Sequence, residues 1–260
     1  MKIIVCIKQV PSTNEVRLDP ETHAIIRDGR QSVVNPFDTY ALELAVELKE
    51  KYGGTVSALS MGIPATERLL RDAESRGADN AVLLTDRAFA GADTLATSYT
   101  LALGVRAMGG ADLILCGKMA VDGDTAQIGP ELAETLGICH ITDVTEVLDV
   151  GPGFITVRKA AENGARTLKA SLPALLTVQK DIVMPRMPSI SGVRFSLSAP
   201  FQSLNAAQCG ADTGRTGFAG SPTQVVKTFT PQGRGEAVEI GGTAAEQAQR
   251  ILRLHREAGA

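Results

Sequence analysis

Tryptophan is absent from this 260-residue chain, and only seven Phe and three Tyr supply aromatic rings. Stacking of nucleic-acid bases on aromatic platforms is therefore not expected, and the core must be assembled from Ala, Val, Leu and Ile. Histidine is also scarce. His23, His140 and His255 are far apart and have no i,i+4 partner, which argues against a zinc site. The cysteines Cys6, Cys116, Cys139 and Cys209 form no CxxC pair. Cys6 and Cys116 each fall in a short apolar run and read as small buried hydrophobes. No basic block stands out among 26 Lys+Arg against 29 Asp+Glu, a formal charge of −3, so no nucleic-acid surface is expected. No apolar run reaches spanning length, and the Met1–Ile7 run is too short for a signal segment. The expectation is a soluble, cytoplasmic protein with no bound metal.

What is present is an alternation of β-rich runs and helical stripes. The spacing predicts a strand over 2–7 and then a helix capped by Asp38, which carries Ala41, Leu42, Ala45, Val46 and Leu48 and stops at Gly53-Gly54. A strand over 55–60 follows, then a helix opened by Pro64 and ended near Gly77. A strand over 81–84 precedes a helix capped by Asp93 or Thr94. A strand over 112–116 precedes a helix over 124–136. This rhythm belongs to an α/β fold: a mostly parallel, Rossmann-like sheet with helices on both faces. Ligands of such sheets bind at the strand carboxyl ends, here the loops after Ile7, Ser60, Leu84 and Cys116. Phe154–Arg158 and Arg166–Ala170 read as a hairpin, and Leu172–Val178 as a last strand. Beyond Pro185 the periodicity fails until a helix over 243–258. Residues 1–190 are expected to form the α/β body and 191–260 a C-terminal arm. Composition allows either a tail or an arm that wraps a partner chain.

The chemistry-bearing stretch is Gly117 to Pro130, which leaves a strand, crosses a loop and enters a helix. Amides at that helix start, with Thr125 and Gln127, suit a phosphate or ribose, and Gly129 suits close approach of a ligand to the backbone. On spacing alone, an ordinary turn with Asp124 as cap is the better explanation. Lys8-Gln9-Val10-Pro11 and Asp86–Ser98 follow other strands, and Asn35-Pro36-Phe37-Asp38 sits immediately before a helix; Asp86–Ser98 places Thr94 and Thr97 on one helical face. Simple turns and caps account for these too. No GxxxxGK[ST] or GxGxxG segment is present. Asp122-Gly123-Asp124 lacks the later residues of a calcium loop, and no nucleophile elbow or His-based triad appears. The pattern is that of a binding site without a catalytic constellation.

Taken in order, Val5-Cys6-Ile7-Lys8-Gln9-Val10-Pro11, Asp28-Gly29, Asn35-Pro36-Phe37-Asp38, Ala41-Leu42-Glu43, Arg76-Gly77-Ala78-Asp79, Gly117-Lys118, Asp122–Pro130, Leu172–Val178 and Pro185–Ser189 resemble the β subunit of an electron-transfer flavoprotein. The resemblance covers residues 1 to about 190 and is thin afterwards. It implies an adenine-nucleotide-binding domain paired with an α subunit that carries an FAD. It also implies a nucleotide in this chain, AMP in the ordinary branch or a second FAD, reduced by NADH, in the electron-bifurcating branch. Asp122–Pro130 and Asp86–Ser98 are similar to the bifurcating branch, which favours FAD. By the same resemblance the nucleotide meets Cys6, Asn35, Pro36, Phe37, Asp38 and Met61. Asp122, Gly123, Asp124, Thr125, Ala126, Gln127, Ile128, Gly129, Pro130, Glu131, Leu132 and Ala133 cradle its phosphates, and Thr94 and Thr97 assist in the FAD form. Ile190 matches the aliphatic anchor that docks a flavin dehydrogenase of acyl-CoA dehydrogenase type, or a quinone oxidoreductase. The lysines expected after it are replaced by Gly192-Val193-Arg194-Phe195-Ser196-Leu197-Ser198, so the contact should be less electrostatic. The competing reading is a homodimeric nucleotide-sensing, stress-type α/β protein; a nucleotide-cleaving enzyme ranks behind both.

Overall fold

The computed structural model describes residues 1–12, 32–226, 237 and 239–258; His23 and Asp28-Gly29 lie outside them. In chain order the strands are β1 (Lys2–Cys6), β2 (Gln9–Pro11), β3 (Ser32–Val34), β4 (Thr55–Met61), β5 (Asn80–Leu84), β6 (Leu113–Gly117), β7 (Cys139–Gly151), β8 (Phe154–Ala161), β9 (Gly164–Ser171), β10 (Ala174–Val178) and β11 (Gln202–Leu204). The helices are α1 (Pro36–Tyr52), α2 (Glu67–Ser75), α3 (Thr94–Ala107), α4 (Ile128–Leu136), α5 (Ile190–Ser198) and α6 (Ala244–Glu257). Among the described residues one sheet runs β11-β5-β4-β1-β6-β10-β7-β8-β9, and β2 pairs with β3. Neighbours are parallel from β11 to β7; β7, β8 and β9 form an antiparallel meander.

Strand side chains alternate between the two faces. Ile3, Val5, Leu113 and Leu115 pack under α1 and α2, and Ile4, Ile114 and Leu175 pack under α3 and α4. Both faces are covered, which is why the central strands read as unbroken aliphatic runs. The expected α/β class and mostly parallel sheet are thus observed.

Several expectations need correction. Helix α1 starts at Pro36 with Asn35 at the cap position, so Asp38 lies inside the first turn and is not its cap. Helix α4 starts at Ile128 rather than Asp124. Asp124 and Ala126 have φ of 51° and 55°, a left-handed conformation that cannot continue a right-handed helix. Strand β7 was not expected; its register shifts against β8 and β10 break the alternation that marks a strand. Helix α5 and strand β11 occupy a stretch expected to be extended, and β11 adds to the sheet beside β5. The chain divides into two compact units, Met1–Gln224 and Val225–Ala260; residues 191–224, expected in the arm, belong to the first. In the second, Thr243 and Glu246 form a reciprocal capping box at the start of α6, where a helix was expected.

Candidate functional site

The chain passes from β1 to β4 and β5 on one side, then returns to β6 on the other side of β1. The carboxyl ends of β1 and β6 therefore flank the point where the winding reverses, the place where open parallel sheets bind ligands. Of the sequence-predicted nucleotide residues, Cys6 and Met61 end β1 and β4, Asn35–Asp38 lie between β3 and the first turn of α1, Thr94 and Thr97 follow β5, and Asp122–Ala133 follow β6.

Two side chains at the start of α1 organise this edge. Asn35 is buried; its Nδ2 donates to the Met119 carbonyl at 2.9 Å and its Oδ1 accepts from the Val121 amide at 3.1 Å. Its own amide donates to the Lys8 carbonyl at 2.9 Å. Asp38 is also buried; one carboxyl oxygen accepts from the Lys8 amide at 2.8 Å and the other from the Gly117 amide at 3.2 Å. A side chain at Gly117 would collide with Asp38 and Phe37, so glycine is what lets the loop close on α1. Burial pushes the Asp38 carboxyl up to about 7, while the Lys8 and Gly117 amides and Asn35 pull it down. Together these bonds tie the loops after β1 and β6 to one helix end. Phe37 is half-buried, and Pro36 faces solvent.

Beyond this clamp, residues 121–127 are exposed. The Asp124 amide donates to the Ala120 carbonyl at 2.8 Å. Asp124 and Ala126 are left-handed and Gln127 right-handed, so the loop is irregular up to the start of α4. Gln127 makes no side-chain cap to α4, so the first-turn amides of Ile128 and Gly129 have no intrahelical carbonyl to bond. Gly129 serves packing: a side chain there would strike the Thr177 methyl of β10. Leu132 and Ala133 are fully buried in the core, so they hold α4 in place from below.

Helix α3 comes to meet α4. Asp93 caps α3 by accepting from the Ala96 amide at 3.0 Å, and the Thr94 hydroxyl donates to Glu131 Oε1 at 3.1 Å. Burial pushes the Glu131 carboxyl up, and its Oε2 has no partner. Thr97 is half-buried one turn along. Sequence reasoning missed the strap behind this helix: Thr223 donates twice to Asp93, and the Asp93 amide donates to Ser221. Cys6 and Cys116 lie buried on adjacent strands, and the Cys6 contact together with burial pushes the Cys116 thiol up. Met61 is half-buried at the end of β4, beside β1.

Two hollows lie away from this edge. One of about 480 Å³ is lined by Met1, Tyr52, Asp112 and Pro173 at the strand amino ends. The other, of about 500 Å³, lies between α2 and α5. At the strand-end site, residues 121–127 are exposed. No group of three or more His, Cys, Asp or Glu able to hold a metal occurs among the described residues.

A family model for the electron transfer flavoprotein domain matches residues 22–208. The chain belongs to the electron transfer flavoprotein family. An electron transfer flavoprotein subunit beta of Clostridium acetobutylicum is 42% identical over 257 residues, 99% of this chain and 98% of that protein. The caffeyl-CoA reductase-Etf complex subunit CarD of Acetobacterium woodii is 40% identical, covering 95% and 94% of the two chains. Protein FixA of Bradyrhizobium diazoefficiens is 40% identical over 97% and 90%. The chain therefore has the electron-transfer role of the family's β subunits, which pair with an α subunit and work with dehydrogenase-type partners. The homodimeric sensor reading is not favoured.

The strand-end residues fit the nucleotide that this family implies, because uncapped amides, left-handed backbone and pinned loops converge there. Ser189 caps α5, and Ile190, Met187 and Leu197 are each more than 80% exposed. No helix among the described residues is long and apolar enough to cross a membrane.

Proposed function

We propose that the chain is the nucleotide-binding β subunit of a cytoplasmic, heterodimeric electron-transfer flavoprotein of the bifurcating type. It holds FAD at the strand ends in preference to AMP, beside a second FAD on the α subunit. The observation that carries this reading is the convergence of the Asn35–Asp38 clamp with the uncapped start of α4 at the switch point. The Asp122–Pro130 and Asp86–Ser98 wording, similar to the bifurcating branch, supports FAD. The exposure of residues 121–127 suits a site that a second chain completes.

In this reading the backbone at Cys6 and at Asn35–Asp38 receives the nucleotide, with Met61 beside it. The Asp122–Glu131 segment faces the phosphates, Leu132 and Ala133 anchor that segment, and Thr94 and Thr97 extend the site along α3. The flavin supplies the redox chemistry when bound; the protein sets its position and surroundings. Electrons pass between NADH or a dehydrogenase and a flavin, quinone or ferredoxin-type acceptor. Ile190 with its apolar neighbours on α5 docks an acyl-CoA dehydrogenase-like partner or a quinone oxidoreductase, and the arm within 191–260 contacts the α subunit. Cofactor counting on the purified heterodimer tests the reading. Two flavins per heterodimer support it, one flavin plus AMP moves the chain to the ordinary branch, and no nucleotide rejects the site.

A further inference from the structure

We propose that Lys8 reads the phosphate charge of the bound nucleotide, and that Asp122 holds its ammonium beside the loop until the phosphate takes it over. The inference rests on the strand ends being a nucleotide site. Lys8 is fixed at its base, because its amide donates to Asp38 and its carbonyl accepts from Asn35. Its ammonium reaches across the mouth to Asp122 Oδ1 at 2.6 Å. A Cβ placed at Gly123 would lie 4.0 Å from that nitrogen, so the charge sits over the left-handed loop that leads into α4.

Charge balance shows why such a group is needed. The segment from Gly117 to Ala133 carries Asp122, Asp124 and Glu131 against a single base, Lys118. The Lys118 ammonium is 3.0 Å from Asp143 on β7. Lys8 raises the bases to two against three acids, which halves the excess of negative charge that a phosphate would meet here. An ion pair whose side chains are 43% and 23% exposed adds little to stability, so fold stability does not account for it. Its exposure instead leaves the ammonium free to exchange a carboxylate oxygen for phosphate oxygens, which bind a lysine as a point charge.

The test uses AMP and adenosine, which differ only in the phosphate, titrated calorimetrically into heterodimer stripped of the strand-end nucleotide. Lys8→Met should lower AMP affinity about tenfold, the scale of one charge-assisted hydrogen bond, and leave adenosine unchanged. It should also flatten the salt dependence of AMP binding. Asp122→Asn should raise AMP affinity and leave adenosine unchanged, and Lys8→Arg should keep the preference for AMP. If the pair merely ties two loops together, both Lys8→Met and Asp122→Asn will weaken AMP and adenosine alike, and the proposal fails. It also fails if the ratio of AMP to adenosine affinity is unchanged in Lys8→Met. Should Lys8→Met not fold, an Asp122→Asn protein with unchanged or lowered AMP affinity overturns it. Failure of the unsubstituted heterodimer to bind either compound rejects the nucleotide site itself, a result distinct from the others.

Discussion

The strand-end loops and α5 are both fastened by side-chain hydrogen bonds, but by opposite arrangements. At the strand ends the fixing groups are buried: Asn35 and Asp38 spend their polar atoms on backbone amides and a carbonyl after β1 and at and after the end of β6. What faces outward is loop and backbone, suited to a small polar ligand. Around α5 the fixing groups are long arginines. Arg186 is bound by Glu43 and Glu50, and the Arg76 side chain donates to its carbonyl. Arg71 donates to the Ser196 and Ala199 carbonyls at the end of α5. What faces outward there is aliphatic: Ile190 and Leu197. One scaffold thus presents a polar seat and an apolar contact, each held from behind by charged or amide groups.

The contrast can be broken from either side. The largest expected effect comes from Arg186→Ala, which leaves the Glu43 carboxylate, 6% exposed, without its cation. Loss of about 3 kcal/mol is expected on denaturant unfolding, with nucleotide content unchanged. Asn35→Ala strands the Met119 carbonyl and the Val121 amide and should cost about 2 kcal/mol. Here nucleotide content should fall, measured after denaturing the purified complex.

A third test concerns Asp38. Its folded value of about 7 lies above the unfolded 3.8, so the folded state binds the proton more tightly. Its contribution is fully present below about pH 3.8 and is lost as pH rises through about 7. The stability difference between wild type and Asp38→Asn should therefore change across that window, and a flat difference would remove burial as the controlling influence. Smallest in stability is Ile190→Asp, expected to shift it by under about 0.5 kcal/mol because Ile190 is 93% exposed. Electron transfer with the partner dehydrogenase should nevertheless fall.

The central strands, their order of appearance and the helices between them were legible because both faces of the sheet are buried and leave aliphatic runs. The capping of α3 by Asp93 was legible from its short polar side chain ahead of the helix. Other features depend on distant contacts. Asp38 looks like a cap but is consumed by Lys8 and Gly117. Gly129 suggests ligand approach, yet it packs on Thr177. Helix α5 has a Gly- and Ser-rich sequence with little helical periodicity and is fastened by Arg71 from α2. The pairing of Lys8 with Asp122 spans more than a hundred residues, and no local pattern announces it.

Whether the carboxyl ends of β1 and β6 hold an adenine nucleotide is decided by denaturing the purified heterodimer and identifying what is released. One adenine nucleotide per copy of this chain is expected, as FAD, giving two flavins per heterodimer. Release of the α-subunit flavin alone, with no AMP and no second FAD, would rule out a nucleotide site at the strand ends.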